Sequence, residues 1–338
     1  MKSFCFKFTI IIIVFALSFV CKIPVFSIEL QSAASSISVD TKDINSLTEV
    51  QQIEKLLDDL EKDWNDHNIE KVTRVYADDF VNGDGLNLEA VTNLTTELWE
   101  AYPDIMTIGQ ERTIRIDGDY ATVYSSDIYS GTSKNAREEV GTKGTLRAVA
   151  NGEVFLKKYG PKWKIVSDKT IYETVSIGYG VGADLVEENK IKLSAPEQVV
   201  SDRLYTATLD FHISEDLKPV ASISKELLIY PQVTAEDKFR LVDSSNLERL
   251  FKANMISKNE LITATVGLTG GSIQPTLLGL VFLSKRVNVI PVSNETDDIS
   301  IIKEPAKSAL NHKPEKTSES TKEEQTNNKE DVQKETED

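Results

Sequence analysis

One stretch of the chain, WNDHNIEKVTRVYADDFVNGDGLN from Trp64 to Asn87, concentrates residue types that could carry out chemistry. His67 could shuttle a proton, because histidine titrates near neutral pH. It also ends a predicted helix, where the helix dipole favours a histidine for structural reasons alone. Asp78 and Asp79 follow the next predicted helix, and a solvated helix face explains them without any reaction. The stretch therefore forms either a pocket wall or a scaffold.

Three further polar residues lie on predicted strands. Tyr120, Tyr124 and Arg147 could point toward the helices, where two phenols and a guanidinium could hold the carboxylate or carbonyl of a ligand. The same residues could instead form the solvent side of an amphipathic sheet. The sequence leaves both alternatives open.

Several other chemistries lack the residues that they need. The two cysteines, Cys5 and Cys21, lie in an apparent leader, and His312 lies in a polar tail, so no zinc-ligand spacing exists. There is no G-x-S-x-G and no G-x-x-x-x-G-K-[ST] motif. GYGVGA at 178–183 matches a relaxed dinucleotide fingerprint, but too few residues follow it for the required helix. We therefore predict no cofactor and no metal, and interpret this stretch as a linker.

The beginning of the chain predicts export. Lysines precede the mostly apolar run Phe8–Val20, which is short for a membrane span but typical of a signal peptide, and cleavage is predicted after Ser27. The alternative is a leader retained as an anchor. Three lysines leave with the leader, which takes the formal net charge from −16 to −19. Such an acidic protein repels nucleic acid and anionic lipid.

Helical patterns precede strand patterns in the first half of the chain. Ser46–Glu49 reads as a capping box before a stripe of apolar residues that ends at Trp64, and Asn68 and Asn87 are suited to cap two further helices. From Met106 onward the apolar residues alternate, with turns predicted at 117–119 and 159–161. The pattern predicts an α+β layout in which three helices pack on the concave face of a curved antiparallel sheet.

This order of elements resembles the nuclear transport factor 2-like superfamily, in particular its SnoaL-like and ketosteroid isomerase-like branches. The matching motifs are Trp64-Asn65, Tyr76–Phe80 and Lys162–Val166. The resemblance covers residues ~46–180 and implies a cone whose interior holds a small apolar ligand. The rings of Trp64, Tyr76, Phe80 and Trp99 would then line that interior.

The resemblance also implies positions for catalytic groups. Counted from the shared Ala-Asp-Asp, the general base of the isomerase branch falls on Asp84, and its helix-1 tyrosine falls on Leu60. A base without that oxyanion donor loses about 3–4 kcal/mol of transition-state stabilisation. Asp84 also stands between two glycines, where a turn favours aspartate. Asp84 is therefore either a general base, assisted by His67 or Tyr124, or a turn residue.

After residue 190 nearly every segment alternates like β-structure, with prolines near the strand ends, which predicts an immunoglobulin-like β-sandwich. Its aromatic residues are predicted to be core, and Lys285-Arg286 a solvated edge. The residues after 293 contain too few large apolar side chains to fold. The predicted organisation is a signal peptide at 1–27, a lead-in at 28–45, the cone at 46–180, a linker at 181–190, the sandwich at 191–293 and a disordered tail at 294–338.

Two functions remain open at this point. The first is an exported, non-enzymatic binding or adaptor protein that holds a small apolar molecule or docks a protein, with a homodimer through the cone sheet as one form of docking. The alternative is a cofactor-independent isomerase, lyase or hydrolase that uses Asp84.

Overall fold

The computed structural model describes residues 48–230, 238–242, 245–271 and 274–292. The leader, the lead-in and the tail predicted above lie outside the described residues. The helices are α1 (Glu49–Asn65), α2 (Ile69–Arg74), α3 (Leu88–Ala101) and α4 (Val181–Glu187). The strands are β1 (Met106–Asp117), β2 (Tyr120–Thr132), β3 (Gly144–Tyr159), β4 (Lys162–Gly180), β5 (Ile191–Ser194), β6 (Gln198–Val200), β7 (Leu204–Phe211), β8 (Lys218–Leu227), β9 (Arg240–Leu241), β10 (Asn246–Lys252), β11 (Glu260–Gly270) and β12 (Thr276–Ile290).

The first three helices begin at capping side chains. Asn68 accepts a hydrogen bond from the backbone of α2, and Asn87 accepts one from the backbone of α3, as predicted. The capping box of α1 lies two residues later than predicted. It joins Thr48 and Gln51, each of which accepts from the other's backbone N–H. The buried stripe of α1 consists of Ile53, Leu57, Leu60 and Trp64.

Most strands belong to one long antiparallel sheet with the order β1-β2-β3-β4-β12-β11-β8-β9, and β6 pairs in parallel with β12. A second sheet has the order β10-β7-β5. The hairpin predicted at 117–119 forms, with Gly118 at φ 58°. The turn predicted at 159–161 also forms, with Gly160 at φ 60°.

The long sheet has a buried core on each side. Helices α1 to α3 cover the face that we call the inner face, and rings of Trp64, Phe80 and Tyr129 lie in the core between them and β1–β4. The opposite, outer face of β8, β11 and β12 packs against the second sheet, and Tyr205, Phe211 and Phe251 lie in that core as predicted. Phe239 was predicted there as well, but its side chain is 52% exposed.

The boundary predicted at 181–190 has a different structure. Residues 181–187 form helix α4, which packs on β4 and β12, so this segment is not a simple linker. The last residues of β4 pair directly with β12, from Gly180 opposite Gly279 to Thr174 opposite Lys285. Strands predicted for two separate domains therefore share one sheet.

Glycines make the approach of α4 possible. A Cβ on Gly178 would lie 2.2 Å from the backbone oxygen of Gly182, so the glycine-rich motif serves close backbone packing. Phe282 of β12 packs on the inner core, whereas Val281 and Leu283 lie in the outer one. Among the described helices, none is long and apolar enough to cross a membrane.

Candidate functional site

The loop that carries Asp84 is held in place by hydrogen bonds that its backbone N–H groups donate. The Asn82 side chain accepts hydrogen bonds from the N–H groups of Asp84 and Leu86 at 3.0 and 2.8 Å. Gly85 has φ 86°, and the Gly83 N–H donates to the backbone carbonyl oxygen of Asp168 at 2.7 Å. This turn fixes the Asp84 side chain against the end of β12.

Asp84 forms a two-point ion pair with Arg286. The guanidinium donates to both carboxylate oxygens at 2.9 and 2.6 Å, and the Asn259 amide donates at 2.9 Å. Both oxygens of a carboxylate bound in this way already accept hydrogen bonds within the chain, so neither is open toward a substrate. Leu60, at the position of the oxyanion donor, is buried in the core. The structure therefore gives Asp84 a structural role instead of the role of a free base.

Arg286 was predicted on a solvated edge, but it is only 3% exposed. Asp168 and Glu173 of β4 are buried close to it. Burial raises the pKa of Asp168 to about 7, with a further rise from Asp84 and an opposing effect of Arg286. Burial also raises the pKa of Glu173 to about 8, where Arg286 opposes and Asp84 adds to the rise. We call Asp84, Asp168, Glu173 and Arg286 the Arg286 cluster.

His67 has structural contacts. Its backbone has φ 54°, its ring stacks on Trp99 at 4.7 Å between centroids, and its Nε2 lies 3.3 Å from the Ile105 oxygen. The neighbouring Asn65 bonds both backbone groups of Thr107, at 2.9 and 2.8 Å. The Trp64–His67 segment thus fastens the end of α1 to β1.

The predicted ligand-contacting residues divide between the two faces of the sheet. Trp64, Tyr76, Phe80 and Trp99 are all buried in the inner core. Tyr120 and Tyr124, in contrast, are 56% and 42% exposed, and Arg147 is exposed next to the buried Leu146 and Ala148. Of the two alternatives for these three residues, the one that points them toward the helices is wrong, and the one that places them on the solvent side of the sheet is confirmed. The pleat puts them on the outer face, because Val123 and Leu146 take the inward positions.

The inner face carries polar residues that sequence reasoning missed. Ser125 and Asp127 alternate with outward residues on β2 and are fully buried. The sequence could have shown this, because Ser125 and Asp127 lie at every second position between the inward residues Val123 and Tyr129. Across the strands Gly109 pairs with Asp127, Asp127 with Ala150, and Ala150 with Glu173. One small residue, Ala150, thus lies between the two buried carboxyl groups of Asp127 and Glu173.

Some buried polar atoms on this side make no hydrogen bond among the described residues. They are Trp64 Nε1, Trp99 Nε1, Thr107 Oγ1, Ser125 Oγ and Glu173 Oε1. The Trp64 ring lies 5.7 Å from that of Trp99 and 5.6 Å from that of Tyr129, and Tyr129 pairs with Thr107. We call the region around these atoms, next to Gly109, Ala150 and Gly152, the interior site. In the described part of the chain no group of His, Cys, Asp or Glu could hold a metal ion.

No family model and no curated protein matches the chain. Among solved structures, a putative scytalone dehydratase from Novosphingobium aromaticivorans is 16% identical over 39% of this chain and 90% of that chain, with a TM-score of 0.32. A nuclear transport factor 2-like protein with a cystatin-like fold from the same species is 14% identical over 39% and 90%, with a TM-score of 0.30.

A third match is the Bdellovibrio bacteriovorus protein Bd1075, which is 18% identical with a TM-score of 0.30. It covers 36% of this chain, and this chain spans 39% of its length. Part of the chain thus resembles nuclear transport factor 2-like proteins, in agreement with the sequence motifs. No activity is transferred from any of these proteins.

Proposed function

We propose that the protein is an exported small-molecule-binding protein whose ligand lies in the interior site. The observation that carries this proposal is the set of buried polar atoms without hydrogen bonds on the inner side of the sheet. Leaving a buried donor or acceptor unpaired costs about 1–3 kcal/mol, and a ligand or water that bonds it recovers that free energy. Export rests on the leader in the sequence.

The neighbouring small residues support a ligand instead of tighter packing. Gly109 and Ala150 lie in one row across the sheet, and Gly152 lies next to that row on β3. A Cβ on Gly152 would lie 2.7 Å from the backbone oxygen of Lys169, so this glycine serves close packing, and Gly109 and Ala150 are the small residues that leave the inner face thin. The rings of Trp64, Trp99 and Tyr129 pack against one another on the same side of the sheet and would supply apolar contacts to a ligand.

The polar atoms indicate which ligand would fit. The two indole N–H groups can only donate, whereas the hydroxyls of Thr107 and Ser125 can donate or accept. A largely apolar molecule with one or two oxygen acceptors satisfies these groups. Ligands of this kind commonly bind in apolar pockets with a few polar groups that fix orientation.

The ion pair between Asp84 and Arg286 opposes the enzymatic alternative that uses Asp84 as its base. The burial of Asp168 and Glu173, which are 6% and 4% exposed, still favours proton transfer by other groups, because it raises their pKa values to about 7 and about 8. A second non-enzymatic role, docking of a protein or of a second copy through the sheet, is supported by the exposed Met106 and Ile108 on the edge strand β1.

The test is mass spectrometry of small molecules released from the full chain after purification from its native host. We expect a bound molecule, and we expect Ala150→Leu to abolish its retention by filling the interior. The matched control is Val50→Leu, because Val50 lies on α1, is 41% exposed and lines neither the interior site nor the outer face of the sheet.

Ser125→Ala provides a variant that should fold in any case. Removing an unpaired buried hydroxyl should leave the unfolding temperature of the ligand-free protein unchanged or higher, but weaken ligand binding about 5–10-fold. If the protein releases no molecule, or if Ala150→Leu and Val50→Leu retain it equally, the interior site is the wrong assignment. The docking role then becomes the leading one.

A further inference from the structure

The outer face of the sheet carries a groove that is separate from the interior site. Its floor is formed by β2, β3, β4 and β12, and the wall opposite this floor is formed by α4, β5 and the residues next to them. The cavity has a volume of about 640 Å³. That value lies within the roughly 300–1,000 Å³ of ordinary small-molecule sites.

The floor of the groove follows one row of paired residues. Ile128 pairs with Val149, Val149 with Thr174, and Thr174 with Lys285. The ammonium of Lys285 lies 4.1 Å from the centre of the Tyr172 ring. The floor therefore changes from apolar at β2 to cationic at β12.

Lys285 is the unusual residue of the groove. It is only 6% exposed, yet it forms no ion pair with any described residue. A buried charge without a counter-ion costs free energy that a bound anion would recover. Burial also lowers the pKa of this lysine, with Glu197 opposing and Lys192 adding to that effect.

Arg147 lines the same groove one row away, where it pairs with Ser176. Neither its guanidinium nor the hydroxyls of Thr174 and Ser176 bond another described residue. Two cationic groups and two hydroxyls thus face the same space and are available to a ligand. Arginine and lysine with flanking hydroxyls are the groups that bind carboxylates.

The charges of the groove favour a ligand with a single negative charge. Its cations are Arg147, Lys192 and Lys285, and its carboxylates are Glu187 and Glu197, which leaves an excess of one positive charge. The whole chain, in contrast, has a formal net charge of −16. A locally positive groove on an acidic protein selects for an anion small enough to avoid the surrounding negative field.

We propose that this outer groove binds a small organic monocarboxylate. Its carboxylate lies between Lys285 and Arg147, with the hydroxyls of Thr174 and Ser176 as further donors. Its apolar body lies along Ile128 and Val149 on the floor and Ile191 on the opposite wall. This site does not depend on the function proposed for the interior, because the sheet separates the two.

The test is isothermal titration calorimetry of the full chain with hexanoate and benzoate. The neutral probes are hexanamide and benzamide, and phenyl phosphate supplies a dianion of similar shape. We expect the carboxylates to bind on the order of 10-fold or more tightly than the amides, because the charge-assisted bonds are lost with the amides. We expect phenyl phosphate to bind less tightly than benzoate.

Variants locate the binding. Lys285→Met and Arg147→Met should each weaken carboxylate binding about 10-fold. The matched control is Lys157→Met on the same face of β3, where the lysine lies over the Tyr120 ring, outside the groove. That variant removes the same charge and should bind as the wild type does. Arg147 is exposed, so its variant is expected to fold whatever happens at Lys285.

Three results would overturn the assignment. The first is equal binding of acids and amides, or no binding of any probe. The second is an equal loss of carboxylate affinity in Arg147→Met and Lys157→Met. The third is tighter binding of phenyl phosphate than of benzoate. Ser125→Ala distinguishes the two sites, because it should leave carboxylate binding unchanged. A loss in that variant would move the carboxylate to the interior site.

Discussion

Lys285 and Arg286 are adjacent residues on β12 that point to opposite faces of the sheet, and the two faces use their charges differently. Arg286, on the inner side, is 3% exposed and bonds both oxygens of Asp84. Lys285, on the outer side, is 6% exposed and forms no close ion pair with a described carboxylate, although Glu197 acts on its charge from a greater distance. One buried cation is satisfied within the chain, and the other is not.

This difference separates a structural charge from a binding charge. Arg286 connects the loop after α2 to the last strand of the sheet, so it joins segments that are far apart in sequence. Its ion pair also accounts for the aspartate that the sequence offered as a base. Lys285 costs free energy in the folded state unless a ligand neutralises it, and it is therefore the better candidate for function.

The largest expected effect comes from making the same substitution on both faces. Arg286→Met should lower the free energy of unfolding by about 3–5 kcal/mol, because it leaves the partly buried carboxylate of Asp84 without its cation. Lys285→Met should change it by less than about 1 kcal/mol or raise it, because an unpaired buried charge is removed. Urea denaturation at neutral pH measures both values.

The double variant Asp84→Asn with Arg286→Met is the control for the ion pair. It should be less destabilised than the sum of its two single variants, because the second substitution removes a partner that is already lost. Equal losses in Lys285→Met and Arg286→Met would remove the distinction between the two faces.

A smaller effect concerns pH and the inner face. The pKa of Glu173 is raised to about 8 from its ordinary 4.5, so the folded protein holds this proton more tightly than the unfolded chain does. Stability from this group is therefore present below pH 4.5 and is lost as pH rises toward 8. As the pH rises from 5 to 9, the free energy of unfolding of Glu173→Gln should increase relative to that of the wild type by roughly 2–4 kcal/mol.

The free energy of unfolding across that pH range is the measurement. Asp168→Asn adds a second measurement. Because the pKa of Asp168 rises only to about 7, the stability that the wild type loses through Asp168 should level off at a lower pH than the stability it loses through Glu173. Parallel curves for Glu173→Gln and the wild type would show that Glu173 is charged in the folded protein.

The smallest expected effect is at His67. His67→Asn keeps a residue type that tolerates the positive φ but removes the stacking on Trp99, and should cost about 1 kcal/mol. The unfolding temperature and the amount of ligand retained are measured for the wild type and for the variant. Loss of ligand without loss of stability would place the imidazole in the interior site after all.

Local signals predicted the local structure well. The capping asparagines at 68 and 87 and the glycine turns at 118 and 160 determine where elements begin and reverse, and each depends on residues close in sequence. The pairing of β4 with β12 could not be predicted, because its partners, such as Thr174 and Lys285, carry no mutual signal. The helix at 181–187 depends on the same long-range packing.

The candidate sites were harder to predict for a related reason. A one-residue shift in a strand moves every side chain to the other face of the sheet, so the sequence left open which face Tyr120, Tyr124 and Arg147 occupy. Asp84 was found from a motif, but its partner Arg286 lies on a strand from the other half of the chain. The sequence showed the groups and their types, whereas the partners that decide their roles come from the tertiary fold.

The position of β12 in the middle of the sheet, between β4 and β11, has a consequence for how the protein is made. During synthesis, β4 has an unpaired edge until residues beyond 285 have left the ribosome. Only then can β12, together with its partner β11, pair with β4. An open edge of this kind invites pairing with other chains, and contacts between residues so distant in sequence form slowly. A polypeptide that ends at residue 180 would keep that edge permanently and should aggregate.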